Sequence, residues 1–128
     1  MMLEKILIVE DEPLMLNFLD FRLKKAGYDI RIARDGREAE EYIDSEPFSL
    51  IIIDLMIPFV SGLELLAKKK QTAYNKNTPV LIISSYTQKS IITEAFSLGA
   101  DDFIPKPIDV EDLITKVKIL LNKCKIAV

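Results

Sequence analysis

The sequence predicts an α/β fold: a doubly wound, five-stranded parallel sheet between two helical layers. Three observations predict it. Five short apolar runs recur along the chain: "KILIV" (5–9), "YDIRIA" (28–33), "LIII" (50–53), "VLII" (80–83) and "DFI" (102–104). Longer stretches of helical period separate them, so strand and helix alternate from end to end. Four of the runs lack polar alternation, as strands covered on both faces do. The second alternates Tyr28, Ile30 and Ile32 with Asp29 and Arg31, which suits an edge strand. Five strand–helix units in 128 residues fit the flavodoxin-like strand order 2-1-3-4-5, a (βα)5 three-layer sandwich. Residues 1–128 are expected to form one domain.

Each helix has a readable start or stop. Pro13 suits the first turn of the first helix, where its missing N–H costs nothing. Met15, Leu19, Leu23 and Ala26 form its apolar stripe, and Gly27 ends it. Asp35 with Glu38, and Ser61 with Glu64, make capping-box patterns for the second and third helices. The fourth helix is expected over 87–98, ending at Gly99. The fifth starts at Asp109 and aligns Leu113, Ile114, Val117, Leu120 and Leu121 on one face. Lys68, Lys69 and Lys70 suit a helix C-terminus. The segment "QTAYNKNTP" (71–79) reads as a polar connection.

Composition narrows the chemistry. The chain contains no histidine, which excludes Ser-His-Asp and Cys-His catalysis, histidine metal ligands and a phosphohistidine on this chain. Any metal would be held by oxygen, favouring Mg²⁺, Ca²⁺ or Mn²⁺. The net charge of −3 gives no basic footprint for nucleic acid. No apolar run is long enough to span a membrane and no signal-peptide pattern opens the chain, so a cytoplasmic protein without membrane contact is expected. The single cysteine, Cys124, has no partner for an internal disulfide and reads as a partly buried spacer.

In open α/β sheets the site lies beyond the carboxyl ends of the strands. Glu10, Asp11 and Glu12 follow the first strand, Asp54 the third and Ser84 the fourth, and Lys106-Pro107 lies just past the fifth. Strands 1 and 3 are neighbours in the expected order, so Glu10, Asp11 and Asp54 should crowd together. Clustered carboxylates disfavour each other's ionisation, and a hard divalent cation relieves this. Each residue alone has a plainer reading. Asp54 suits a turn, "EDE" a helix cap or solvated charge run, Ser84 a strand end, and Lys106 the surface. Their joint placement at strand ends favours a site.

These residues carry a resemblance. The chain resembles the receiver domain of bacterial two-component response regulators over essentially its whole length, through "ILIVEDE", "IIIDLMIPFVSGLELL", "PVLIISS" and "GADDFIPKP". The resemblance implies that Asp54 accepts a phosphoryl group from a sensor histidine kinase or a histidine phosphotransfer protein. It implies that Mg²⁺, or Mn²⁺, is held by Glu10, Asp11, Asp54 and the backbone carbonyl of Met56. Ser84 takes the switch-hydroxyl position, Phe103 the aromatic switch position, and Lys106 pairs with Asp54 or its phosphate. The Lys106–Pro107 bond is expected to be cis. The output is expected to be a changed helix 4–strand 5–helix 5 face that alters partner binding or homodimerisation. Asp101, Asp102, Asp112 and Lys116 are the candidate ion-pairing residues of such a dimer. The sequence departs from the usual pattern at Ile57, Ser61, Ser85, Tyr86, Ile92 and Pro105. The resemblance implies that residues after the switch position line the access route to Asp54, so Tyr86 is expected to slow water or a phosphatase there.

Three other readings compete. A flavin or nucleotide carrier of this fold needs a donor-rich loop after the first strand, and "EDEP" is acidic. A phosphatase acting on outside substrates would want a second acid two residues after Asp54, where Met56 stands. The alternative closest in kind is a degenerate receiver acting as a non-phosphorylated interaction scaffold. It would usually lack one of the acids or the lysine, and all are present.

Overall fold

The computed structural model describes residues 3–126, with side chains through residue 122. The strands are β1 (Lys5–Val9), β2 (Asp29–Ala33), β3 (Leu50–Asp54), β4 (Val80–Ser84) and β5 (Asp102–Pro105). The helices are α1 (Pro13–Lys25), α2 (Gly36–Ser45), α3 (Gly62–Lys69), α4 (Lys89–Ser97) and α5 (Val110–Ile126). The sheet is parallel, in the order β2-β1-β3-β4-β5. The expected topology and the edge position of the alternating strand are both observed.

Side chains leave a strand on alternate faces, and this divides the core in two. Ile6, Ile8, Ile52, Leu81, Ile83 and Ile104 pack against Leu16, Leu19 and Leu23 of α1 and Leu113, Val117 and Leu120 of α5. Leu7, Val9, Ile51, Ile53, Val80 and Ile82 pack against Ala39 and Ile43 of α2, Leu65 and Leu66 of α3, and Ala95 of α4. Every residue of β3 and β4 is buried. Truncating a core isoleucine such as Ile52 therefore costs about 2–5 kcal/mol, the transfer loss plus the cavity.

Local signals place the helix ends. Glu12 caps α1, its carboxylate accepting from the Leu14 and Met15 amides, and Pro13 follows at N1. Asp35 accepts from Glu38 N–H, and Ser61 from Glu64 N–H. The Glu38 carboxylate reaches back to Arg34 N–H, one residue before the cap. Gly27 and Gly99 take positive φ after α1 and α4, the left-handed conformation glycine adopts without strain.

Several boundaries and faces differ from expectation. The buried stripe of α1 runs through Leu16, Leu19 and Leu23. Leu19 and Leu23 are as expected, but Leu16 takes the buried place of Met15, which is only partly buried, and Ala26 is exposed at the end of the helix. Helix α4 begins at Lys89, after a Gln88 cap position with no side-chain hydrogen bond. Asp109 precedes α5 and accepts from the Glu111 and Asp112 amides, so it acts as the cap. Cys124 lies outside the residues whose side chains are described.

The 71–79 segment is more than a polar connection. Asn75 is fully buried, accepts from Phe48 N–H and the Thr78 hydroxyl, and donates to the Ile43 and Glu46 carbonyls. Lys69 stands at the end of α3 as expected, but it is buried, and its ammonium donates to the Asn75, Lys76 and Thr78 carbonyls. Burial lowers its pKa. Together these groups tie the ends of α2 and α3 to the entry of β3 and β4.

Candidate functional site

Strand register delivers the site. Val9 pairs with Ile53 across β1 and β3, so the next residues, Glu10 and Asp54, emerge side by side. Asp54 pairs in register with Ile83, and Ser84 with Pro105. The chain then continues to Lys106, whose amide donates to the Ser84 carbonyl at 2.9 Å. The Lys106–Pro107 peptide bond is cis, as expected.

Four of the predicted side chains come together. The Lys106 ammonium lies 2.8 Å from Glu10 Oε1 and 2.7 Å from Asp54 Oδ2. Glu10, Asp11 and Asp54 each present an oxygen within 4.8 Å of the others. Glu10 and Asp54 are buried, whereas Asp11 is exposed at the rim. Backbone amides fix the carboxylates further. Glu10 Oε2 accepts from Asp11 N–H and Glu12 N–H, and Asp54 Oδ1 accepts from Met56 N–H at 3.0 Å. The Met56 backbone is thereby held beside Asp54 while its side chain projects into solvent.

The electrostatics follow from that crowding. Burial pushes the Glu10 carboxyl up to about 7, helped by the hydrogen bond and charge of Asp54 and opposed by Lys106. Burial works against the Lys106 charge, but its hydrogen bonds to Asp54 and Glu10 outweigh this and raise its pKa. Two buried acids thus face one ammonium. An all-oxygen donor set with surplus negative charge fits a hard divalent cation.

Ser84 and Phe103 make other contacts. The Ser84 hydroxyl is fully buried and accepts from Tyr86 N–H at 3.0 Å. Phe103 is half-buried and packs against the apolar cluster shared with α2, α3 and α4. Its carbonyl accepts from the Lys116 ammonium at 2.9 Å. Lys116 also approaches Asp112 at 3.4 Å and Asp102 at 3.8 Å, while Asp101 accepts from Val80 N–H. The acids considered for a dimer are therefore engaged within the chain.

One contact is absent from the sequence reading. Glu10 bonds Lys106 directly, as well as standing at the acidic cluster. The signal for it was the shared parity of Glu10 and Lys106, each two residues beyond an inward-facing isoleucine, Ile8 and Ile104.

The family model described as response regulator receiver domain matches residues 6–118. The chain belongs to the response regulator receiver family. Among curated relatives it is similar to response regulator ArlR of Staphylococcus saprophyticus, 36% identical over 119 residues, covering 93% of this chain and 53% of that protein. ArlR of Staphylococcus aureus strain Mu50 is 34% identical over the same length. The chain spans about half the length of these curated relatives. Among solved structures, a CheY-like receiver domain protein from Methanospirillum hungatei JF-1 superposes with a TM-score of 0.93 at 28% identity, covering 99% of this chain and all of that one. The Francisella response regulator 1452 receiver domain gives a TM-score of 0.87 at 31% identity over 94% of this chain and 98% of its own. The receiver fold and family membership read from the sequence are thus both established. Among the described residues, no helix is long and apolar enough to cross a membrane.

Proposed function

We propose that this receiver domain is a phosphorylation-controlled switch acting in the cytoplasm, with Asp54 as the phosphoacceptor. The observation that carries the reading is the Lys106 ammonium bound between the buried Glu10 and Asp54 carboxylates. A partner kinase or phosphotransfer protein presents a phosphohistidine. The phosphorus–nitrogen bond breaks as a phosphorus–oxygen bond to Asp54 forms, and the electron pair stays on the imidazole nitrogen. Phosphoryl transfer depends mainly on positioning and charge neutralisation. Lys106 offsets the repulsion between Asp54 and the incoming anion. Glu10, Asp11, Asp54 and the Met56 carbonyl are the groups that would hold Mg²⁺ or Mn²⁺. The ion, when bound, neutralises phosphoryl oxygens.

The product adds charge and acceptor oxygens at Asp54. Ser84 gives up the Tyr86 amide and turns its hydroxyl to the phosphoryl group. Phe103 then moves inward, changing the α4–β5–α5 face seen by a partner or a second copy. This chain promotes only its own phosphorylation and dephosphorylation.

Intact-protein mass after incubation with acetyl phosphate, with and without Mg²⁺, tests the reading on wild type and Asp54→Ala. A metal-dependent single phosphoryl adduct, absent from the variant, is expected. No adduct in wild type under any condition leaves only the scaffold role.

A further inference from the structure

The Pro58 carbonyl accepts two backbone hydrogen bonds, from Gly36 N–H and from Val60 N–H, each 3.0 Å. The Val60 bond spans two residues and closes a γ-turn centred on Phe59, whose φ is 71°. That is the strained form of the turn, and a bulky side chain there is an outlier. Such a conformation persists only where its surroundings over-determine it.

The surroundings are visible. A Cβ on Gly36 would lie 2.4 Å from Val60 Cβ and from the Val60 carbonyl oxygen, so glycine alone lets the start of α2 approach this turn. The Arg37 guanidinium stacks 4.0 Å from the centroid of the Phe59 ring. Phe59 is 65% exposed, so the core does not hold it and the cation–π contact does. At the far end Gly62 N–H donates to the Leu55 carbonyl at 3.2 Å. A Cβ on Gly62 would meet Leu55 Cα at 2.7 Å. The segment closed in this way, 55–62, begins directly after Asp54 and carries Met56, whose amide bonds the Asp54 carboxylate.

We infer that Arg37 and Phe59 are positioning residues for the acidic pocket. Their stack closes the strained turn onto the start of α2 and so holds the Met56 backbone against Asp54. Neither residue belongs to the group of side chains that meet at Lys106. The effect on metal binding rests on the phosphoacceptor reading, while the effect on the Met56 amide does not.

The test uses Arg37→Ala and Phe59→Gly, with Arg37→Lys and Phe59→Tyr as conservative rescues. Glycine takes positive φ without strain, so Phe59→Gly removes the stack without adding backbone strain at the turn. In metal-free buffer, amide hydrogen exchange at Gly36, Val60 and Met56 is expected to quicken in Arg37→Ala and Phe59→Gly and to stay near wild type in the rescues. A Mg²⁺ titration followed by amide shifts is expected to show affinity weakened by roughly tenfold in the first two variants, the scale of loss when groups behind metal ligands are removed. Unchanged Met56 exchange and Mg²⁺ affinity, with Phe59→Gly merely melting higher, would overturn the inference. A wild type without any Mg²⁺ response would sink the phosphoacceptor reading instead. The Met56 amide would then decide the positioning claim alone.

Discussion

The Lys106 ammonium lies 2.7 Å from the Asp54 carboxylate although their strands, β5 and β3, are separated by β4. The side chain spans the tip of β4 to make this pair, and it occupies oxygens of both Glu10 and Asp54. Lys106→Met should therefore have opposite effects on two readouts. Without the ammonium, the two carboxylates repel, and stability in chelator falls by about 1–3 kcal/mol, the range for losing hydrogen bonds to charged groups. Mg²⁺ no longer competes with a resident cation, so its affinity rises. Urea unfolding and a Mg²⁺ titration check the two directions, and weaker Mg²⁺ binding would contradict the competition argument.

Glu10 sets a pH dependence. Its folded pKa, about 7, stands above the ordinary 4.5. The folded state therefore binds more protons than the unfolded chain between those values. The contribution to stability is fully present below about pH 4.5 and is lost as pH rises through about 7. At about 1.4 kcal/mol per unit, the loss is at most about 3.5 kcal/mol. Denaturation in chelator across this range should show the decline, and Glu10→Gln should flatten it. Mg²⁺ affinity should rise over the same interval, because the ligand must first lose its proton.

Asn75 is a buried hydrogen-bonding hub away from the site. Asn75→Ala removes side-chain partners of the Phe48 amide and the Ile43 and Glu46 carbonyls, while the Thr78 hydroxyl keeps the Phe48 carbonyl. A buried group left unsatisfied costs about 1–3 kcal/mol, so the domain should lose about 3 kcal/mol or more. Urea midpoints measure this. The acetyl phosphate reaction rate at a temperature where the variant is folded should match wild type.

Tyr86 is 39% exposed and its amide holds the Ser84 hydroxyl. The receiver resemblance puts residue 86 on the access route to Asp54, and a substitution tests that role. Tyr86→Ala should shorten the lifetime of the aspartyl phosphate several-fold, read by the decay of the phosphorylated mass. An unchanged lifetime removes the shielding role.

The β-sheet and the pocket were legible because their physics is local and periodic. Apolar runs marked the strands, and the acids at the tips of β1 and β3 with the lysine past β5 needed only the strand order to become a cluster. The phase of α1 was harder. Met15 and Leu16 both suit an apolar stripe, and packing against the sheet chose Leu16. Lys69 and Asn75 were illegible for a related reason. Lysine and asparagine in a polar stretch read as solvated until the fold supplies the carbonyls that surround them. Phe59 gave no sequence signal for its backbone, since a strained φ depends on what pins the turn from outside.

The Asn75 and Lys69 clasp lies where the chain enters β3 and β4, and the acidic pocket lies where it leaves them. The fold thus keeps its durability and its responsiveness at opposite rims. A substitution at the pocket rim therefore leaves the buried hydrogen bonds of Asn75 and Lys69 at the other rim intact.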